Sequence, residues 1–445
     1  MSVHGDVERR WREEAMPRVL LYVILFTFLG CHTSSPPDPE NAQPVCAADP
    51  CPERWNAPRT LRVALYPHLP DAAGDLFETM ENRIEREFER ENPQVRLDLV
   101  INPARDFYDL ETTLPSLLGP DGFDLVEIDT ALLVPLQERL LIAPVELGET
   151  ELGNFYPEAR KSVTVGGQLY GIPTWRCSNF VFSRSKELAA AKNAKELGKV
   201  LQTRASNQAA LIGDFAGSWT LPGLYLDALA DGSAASDLTE EFRGLPQRAV
   251  REEVWKDLSP ILTGCAMAGD NPCTVGAYGD PADPEAPARD FAAGKAVGLL
   301  GWSERLHDIE VSRQEERDRS VLYIGSAPLG KGSRPLVWVD ALVLNRQRAT
   351  TERTEDALTF ARYLNRSETR VWIAMSHDAP QGTPPRYVLP ATKDFYLRPE
   401  VQRDVYYSFF QSALEQGSIP SYPGFAKIRP VLQDELVQRL RSGAS

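Results

Sequence analysis

The segment Leu61-Arg62-Val63-Ala64-Leu65-Tyr66 has the mostly apolar composition of a buried β-strand, and an amphipathic helix follows it. Asp75 and Glu78 match the capping box that begins many helices, and Asn92-Pro93 is a helix-stop signal. Between these signals the apolar residues recur at helical spacing, at Leu76, Met80, Ile84 and Phe88. A second strand then shows alternating apolar residues, at Val95, Leu97, Leu99 and Ile101. This part of the sequence therefore predicts a β-α-β unit.

The alternation of strands and helices continues along the chain. A helix is predicted over Asp109 to Leu118, a strand over Phe123 to Ile128, and another helix after Asp129. Further strands are predicted at 297–302, 320–325 and 336–344, and further helices at 187–202, 352–364 and 430–441. Because strands alternate with helices, we expect an α/β fold with a mostly parallel sheet.

Composition narrows the class of protein. The chain has 445 residues, of which 42% are hydrophobic and 25% charged, as in ordinary soluble globular proteins. Its formal net charge of -15 argues against a nucleic-acid partner, because binding to phosphates needs a basic surface. Acidity alone selects no substrate and is typical of a soluble protein.

The N-terminus has the pattern of an export signal. An apolar run extends from Val19 to Gly30 and is short for a membrane span. Met16, which precedes it, is an alternative start of the chain. Leu29-Gly30-Cys31 resembles the end of a bacterial lipobox, in which the cysteine is acylated after cleavage. A plain signal peptide and a retained anchor are the alternatives, and all three place the protein outside the cytoplasm. We expect a leader over residues 1–31, a flexible Pro-rich tether over 32–58, and the folded part over 59–445.

The six cysteines divide by position. Cys31 is the candidate lipid site, and the two close pairs, which an oxidising compartment would allow to form local disulfides, are Cys46 with Cys51 and Cys265 with Cys273. Cys177 is left without a partner. It is therefore either a reactive thiol or an inert buried one.

Two common ligand motifs fail on inspection. The stretch 325–331 resembles a phosphate-binding P-loop, but Gly332 stands where Ser or Thr should follow Lys331. The histidines and cysteines of the chain do not have the spacing of a zinc-binding motif. We expect neither a metal nor a cofactor.

Polar residues that end or interrupt apolar runs make a better candidate site. Cys177 lies in such a place, and so do three acids, Asp129, Glu304 and Asp340. Since ligands bind beyond the carboxyl ends of strands in open α/β sheets, we expect these groups to meet in one pocket. Each acid has a structural alternative: Asp129 suits a helix N-cap, and Glu304 suits the start of a helix.

From about Leu61 to Leu440 the chain resembles the thiamine pyridinylase (thiaminase I) family, which is built on the periplasmic-binding-protein fold. The most specific part of the resemblance is Gly171-Ile172-Pro173, followed by Cys177 and Asn179-Phe180, with Gly301-Trp302-Ser303-Glu304 further along. It implies a two-lobed α/β fold, periplasmic-binding-protein-like of type II, with a ligand cleft between the lobes. The first lobe would span roughly residues 59–173 plus a later returning segment, and crossing strands would form the hinge.

The resemblance also implies a mechanism. Cys177 matches the nucleophile that adds to C6 of the aminopyrimidine ring of thiamine, and Glu304 matches the acid/base that takes the thiol proton. Asp129 and Asp340 match acids that hold the pyrimidine and its amino group. A small amine, pyridine base or thiol then replaces the departing thiazole. No cofactor is needed for this chemistry.

Aromatic residues line the cleft in that family, and most are tyrosines. By resemblance Tyr66, Tyr108 and Tyr278 fit such places, whereas Trp302 and Trp338 stand where tyrosine is expected. The tryptophans change the stacking area and remove phenol hydrogen bonds. They are also residues that commonly belong to a core.

Two other functions fit the same sequence. One is a non-catalytic lipoprotein that binds thiamine or its pyrimidine for a transporter, and the other is a sugar- or peptide-binding protein in which Cys177 is inert. Cys177 with Glu304 distinguishes the enzyme, because a binding protein needs neither a thiol nor its base. We expect a monomer whose partners are thiamine and a small nucleophile, and which meets the membrane only through its lipid anchor.

The lipobox generates a prediction. We expect the mature chain to begin at an acylated Cys31 and to partition with membranes, and Cys31→Ala to release or mislocalise it. Fractionation of native cells followed by mass spectrometry of the mature N-terminus measures this. A fully soluble, unlipidated mature chain would rule out the anchor.

Overall fold

In a computed structural model, two β-sheets organise the described part of the chain, which comprises residues 59–204, 209–235, 238–245, 250–265, 271–279 and 283–443. These residues belong to one unit, Pro52–Ser445. The predicted leader, the tether, Cys31 and the pair Cys46 and Cys51 lie outside the described residues. None of the described helices is long and apolar enough to cross a membrane.

The strands, in chain order, are β1 (Arg59–Leu65), β2 (Val95–Ile101), β3 (Leu125–Asp129), β4 (Ile142–Ala143), β5 (Thr164–Val165), β6 (Gln168–Leu169), β7 (Ile172–Cys177), β8 (Asn179–Ser183), β9 (Ala209–Ile212), β10 (Ala296–Trp302), β11 (Tyr323–Ser326), β12 (Leu336–Asn345), β13 (Leu389–Pro390) and β14 (Ile419–Pro420). The helices are α1 (Glu78–Glu91), α2 (Thr113–Leu117), α3 (Leu133–Glu138), α4 (Glu149–Asn154), α5 (Pro157–Ser162), α6 (Lys186–Ala189), α7 (Ala194–Arg204), α8 (Thr220–Asp231), α9 (Thr239–Arg243), α10 (Glu252–Leu262), α11 (Ala286–Ala292), α12 (Arg305–Glu315), α13 (Thr351–Leu364), α14 (Ser367–Ala374), α15 (Pro399–Arg403), α16 (Val405–Glu415) and α17 (Phe425–Gly443).

The first sheet is mixed rather than mostly parallel. Its main order is β13-β7-β12-β3-β1-β2, and β4 and β14 also pair with β12. β1 runs parallel to β2 and β3, as the β-α-β pattern predicted, whereas β12 runs antiparallel to both β3 and β7. The prediction of a mostly parallel sheet is therefore wrong for the half that contains β12, because that strand enters from a distant part of the chain and no local pattern fixes its direction.

The second sheet has the order β11-β8-β10-β9, with β8 antiparallel to its neighbours β10 and β11. Only Ser178 separates β7 in the first sheet from β8 in the second, so the chain crosses directly between the sheets there. It returns to the first sheet through β12. The result is a mixed α/β architecture in which two sheets are joined by strands that pass from one to the other.

The first predicted helix differs from the observed one at its beginning. α1 buries Met80, Ile84 and Phe88, as predicted. Leu76 lies outside the helix with φ of +57°, and 72% of its surface is exposed. Asp75 accepts a hydrogen bond from the Thr79 backbone N–H at 3.0 Å, but the residue immediately before α1 is Phe77, whose φ of +69° prevents the helix from starting earlier. The predicted capping box and the membership of Leu76 in the buried stripe are therefore wrong.

A disulfide joins Cys265 to Cys273, and both cysteines are fully buried. Cys177 is the free cysteine of the described residues. The structure therefore agrees with the pairing expected for Cys265 and Cys273 and leaves the Cys177 thiol available.

We expect the Cys265→Ala/Cys273→Ala double variant to lose about 2–3 kcal/mol of unfolding free energy, because a short loop is no longer closed in the unfolded chain. Equilibrium urea unfolding measures the loss. Peptide mapping without reductant should find the two cysteines linked to each other while Cys177 remains open to alkylation. A mapped bridge to Cys177 would contradict both expectations.

Candidate active site

A cavity of about 470 Å³ opens where the two sheets contribute strand ends, and its size suits a small organic ligand. Tyr66 directly follows β1, Asp129 and Cys177 are the last residues of β3 and β7, and Trp302 is the last residue of β10. All four line the cavity, as do Tyr108, Glu304, Trp338 and Asp340. The structure thus brings eight of the residues singled out in the sequence to one place.

The pairing of β12 positions the thiol beside an acid. Asp340 stands opposite Asp129 of β3, and Trp338 stands opposite Cys177 of β7. The Cys177 thiol lies within weak hydrogen-bonding distance of Asp340, with Sγ 3.9 Å from Oδ2. A nucleophile, two carboxylates and an aromatic ring therefore share the central strands of the first sheet.

The carboxyl groups around Cys177 are buried, and burial disfavours their charged forms. It raises the pKa of Asp129 to about 6 and that of Glu304 to about 7. The pKa of Asp340 is raised well above its usual range, first by burial and then by repulsion from Asp129, Glu127 and Glu304. Asp129 and Glu304 are therefore poised to exchange protons near neutral pH.

The thiol of Cys177 differs from that of most reactive cysteines, because its pKa is raised rather than lowered. Its pKa is raised by burial and then by the negative charges of Asp340, Glu304 and Asp129. The protonated thiol is thus the resting form at neutral pH, and a nearby base must take the proton before the sulfur can attack. Glu304 has a pKa of about 7, which is the range in which a general base works best.

Asp129 serves local structure as well as the cavity. Its Oδ1 accepts the backbone N–H of Ala131 at 2.8 Å, so it caps the turn after β3, while its Oδ2 accepts the Tyr108 hydroxyl at 3.0 Å. The N-cap alternative and the cavity position both hold for this residue. Glu304 stands at the cap position of α12 but makes no capping hydrogen bond; its Oε2 accepts the Ser303 hydroxyl at 3.3 Å, and the residue lines the cavity.

Aromatic rings form much of the cavity wall. Trp302 and Trp338 meet edge to face, with centroids 6.5 Å apart, and Trp338 also contacts Phe425 at 4.9 Å. Tyr108 packs on Trp219 at 4.4 Å. Sequence reasoning missed Trp219 and Phe425, because each lies at the start of a helix in a stretch without a motif, and only the fold brings them to the strand ends.

The structure corrects the expectation for Tyr278, which does not line the cavity. Its hydroxyl donates to Asp290 Oδ2 at 2.8 Å, and Asp290 belongs to α11. The disulfide at the nearby Cys273 holds this segment against other parts of the fold. Within the described residues no group of His, Cys, Asp and Glu side chains is placed to hold a metal ion.

Comparison with known proteins agrees with this architecture. The sequence profile of the family described as bacterial extracellular solute-binding protein matches residues 86–406. Thiaminase-1 from Paenibacillus thiaminolyticus is 26% identical over 350 residues, which cover 76% of this chain and 77% of that protein.

Solved structures share the fold across most of the chain. Clostridium botulinum thiaminase I in complex with thiamin has a TM-score of 0.66 and 18% identity, covering 86% of this chain and 100% of that one. A maltose/maltodextrin-binding domain from Bdellovibrio bacteriovorus, bound to maltotriose, has a TM-score of 0.60 and 16% identity, covering 86% and 94%.

The electrostatics of the cavity generate a prediction. Asp340→Asn removes a negative charge beside the thiol, so the pKa of Cys177 should fall and its alkylation at a fixed pH between 8 and 9 should become several-fold faster, roughly as expected for loss of a close like charge. The rate of iodoacetamide alkylation as a function of pH measures this. Glu138→Gln, which alters a surface carboxylate paired with Lys427, should leave the pH dependence of the alkylation rate unchanged. A pH dependence of alkylation that is unchanged or shifted to higher pH in Asp340→Asn would contradict the proposed effect of the Asp340 charge on the thiol.

Proposed function

The chain is a thiaminase I-like member of the bacterial extracellular solute-binding protein family, and from that premise we propose that it cleaves thiamine with Cys177 as its nucleophile. The observation that carries the proposal is the free Cys177 thiol, 3.9 Å from the Asp340 carboxyl group, in a cavity with a base of matched pKa. A protein that only binds its ligand has no use for this combination.

The charge and shape of the cavity support thiamine as the substrate. Thiamine has a positively charged thiazolium ring and a neutral aminopyrimidine, and the cavity offers clustered carboxyl groups at Asp129, Glu304 and Asp340. Cation and aromatic ring also attract each other, which suits the walls formed by Trp302 and Trp338. Two relatives of this fold were solved with thiamin or the thiamin analogue 3-deazathiamin bound.

The proposed reaction begins at the pyrimidine. The Cys177 sulfur bonds to C6 of the ring, its proton passes to Glu304, and the electron pair of the attacked double bond moves into the ring. Asp129 and Asp340 hold the ring and its amino group while that charge develops. The thiazole then leaves as a neutral molecule with the electron pair of its bond to the bridging methylene.

The second half of the reaction returns the enzyme to its starting state. A small amine, pyridine base or thiol bonds to the methylene, and an amine or thiol also releases its proton. The C6–S bond breaks as Glu304 gives the proton back to Cys177. The carboxyl group thus acts first as base and then as acid, which a pKa of about 7 allows in both directions.

A non-catalytic role remains the second candidate, since a sugar-binding domain has the same fold. Buried acids and aromatic walls would also bind a cationic ring without turning it over. Cys177 and Glu304 therefore carry the difference between the two functions. We extend the proposal to an exported protein with leader 1–31, tether 32–58, a lipid anchor at Cys31 and a two-lobed domain over 59–445.

We expect purified protein mixed with thiamine and pyridine or aniline to release free thiazole over many turnovers, as read by mass spectrometry. Cys177→Ser should bind thiamine without turnover, because the stacking and acid contacts remain. Glu304→Gln should turn over about 10²–10⁴-fold more slowly, since it keeps the shape but takes no proton. The two losses should not add in the double variant, because both act on one step.

The matched control is Glu316→Gln, which changes an exposed glutamate at the other end of α12 and should keep wild-type turnover. Asp340→Asn should also weaken binding, because its partner in the proposal is the substrate's amino group. Turnover near the wild-type rate in Cys177→Ser would sink the covalent mechanism, and thiamine binding without thiazole release by the wild type would favour the binding protein.

A further inference from the structure

An exposed leucine in a strained conformation stands at the edge of the cavity. Leu76 and Phe77 both line it, and their φ angles of +57° and +69° are in the left-handed region. That region is unfavourable for a residue with a Cβ atom, because the Cβ comes too close to the following carbonyl oxygen. Leu76 also leaves 72% of its surface exposed, so its side chain gains little from burial within the protein. Neither the backbone strain nor the exposed apolar surface stabilises the fold.

The surroundings of this segment hold it in place. Asp71 accepts the backbone N–H groups of Gly74 at 3.2 Å and Leu76 at 2.8 Å. Arg386 is fully buried and donates to the Pro70 carbonyl at 2.7 Å. The same guanidinium forms a buried ion pair with Asp378. Backbone strain that neighbouring hydrogen bonds hold in place in this way is a feature of functional sites.

The cavity lining combines acidic and apolar side chains. Asp129, Glu304 and Asp340 line it together with the thiol, and the segment after β1 adds the apolar side chains of Leu69, Leu76 and Phe77 beside the polar ones of His68 and Asp71. An aromatic heterocycle whose reacting half is held by the acids would expose its other ring to this apolar segment. Contact with that ring would bury the leucine that the protein itself leaves exposed.

We propose that Leu76 is a substrate-contacting residue that packs on the outer heterocyclic ring of the ligand, and that its strained backbone serves to direct the side chain there. The inference rests on the proposed function and adds a determinant of affinity that takes no part in the chemistry. It acts on binding rather than on the reacting atoms. Its loss should therefore raise KM and leave kcat unchanged.

Leu140 provides a matched control, because it is also an exposed leucine with a positive φ. Its φ is +56° and 56% of its surface is exposed, but it does not line the cavity. Glycine adopts this region freely, so Leu76→Gly and Leu140→Gly should both keep or raise the thermal midpoint. Any effect on ligand binding then separates the two sites.

The experiment compares these variants with Leu76→Asn, which tolerates the left-handed region but is polar, and Leu76→Met, which keeps an apolar side chain. We expect Leu76→Gly and Leu76→Asn to raise the KM for thiamine about ten-fold, as loss of part of a leucine's buried surface implies, with kcat within about two-fold. Calorimetric titration of thiamine in the Cys177→Ser background should show the same loss of affinity. Leu76→Met and Leu140→Gly should match the parent protein.

The outcomes separate the two proposals. Wild-type protein that neither binds nor cleaves thiamine overturns the proposed function and this inference with it. Wild-type protein that binds thiamine, together with unchanged affinity in Leu76→Gly and Leu76→Asn, overturns the inference alone. A lower thermal midpoint in Leu76→Gly would also count against it, because the leucine would then have a structural role.

Discussion

The antiparallel pairing of β12 with β3 on one side and β7 on the other is the interaction on which the site depends. It places Asp340 opposite Asp129 and Trp338 opposite Cys177. In a strand, a slip of one residue would turn every side chain to the other face. The register shifts between Asp340 and Ala341, which is the kind of irregularity that re-aims a side chain at the edge of a site. The backbone ladder thus fixes the thiol and the acids before any ligand is present.

Holding the acids together out of water is unfavourable for the isolated fold. Burial raises the pKa of Asp129, Glu304 and Asp340, and for Asp340 the repulsion from Asp129, Glu127 and Glu304 adds to the rise. The fully buried Arg370 offsets part of this through its attraction to Glu127 and Asp340, although burial lowers its own pKa to about 10. A cationic ligand would relieve the remaining repulsion. In the proposed function, the positively charged thiazolium ring of thiamine would supply this relief.

The sequence predicted those parts of the fold and site that depend on local pattern. β1, α1 and β2 could be read from the spacing of apolar residues, and Cys177 stood out because both other cysteines of the described residues have a near partner. The direction of β12 could not be read, since it depends on pairing with strands more than 150 positions away in the chain, at β7 and β3. Trp219 and Phe425 were missed for the same reason. The prediction that Tyr278 lines the cleft rested on the order of segments along the chain. That order does not fix the path of a loop, and here the hydrogen bond to Asp290 and the nearby disulfide hold the loop away from the cavity lining.

The same fold serves sugar binding in other proteins, so the fold alone does not separate a binding protein from an enzyme. The difference between a binding protein and an enzyme lies in which groups of the cavity can exchange a proton. Buried acids and aromatic rings explain the affinity of a cation for the cavity, and they would do so with serine or alanine in place of Cys177. A thiol whose pKa is raised by burial and by those same acids is inert until one of them takes its proton, and Glu304 is the acid whose pKa of about 7 and freedom from any capping role fit that task. The acids that bind the cation in the proposed function would then also control the nucleophile, because an ionised Glu304 is the base that takes the thiol proton.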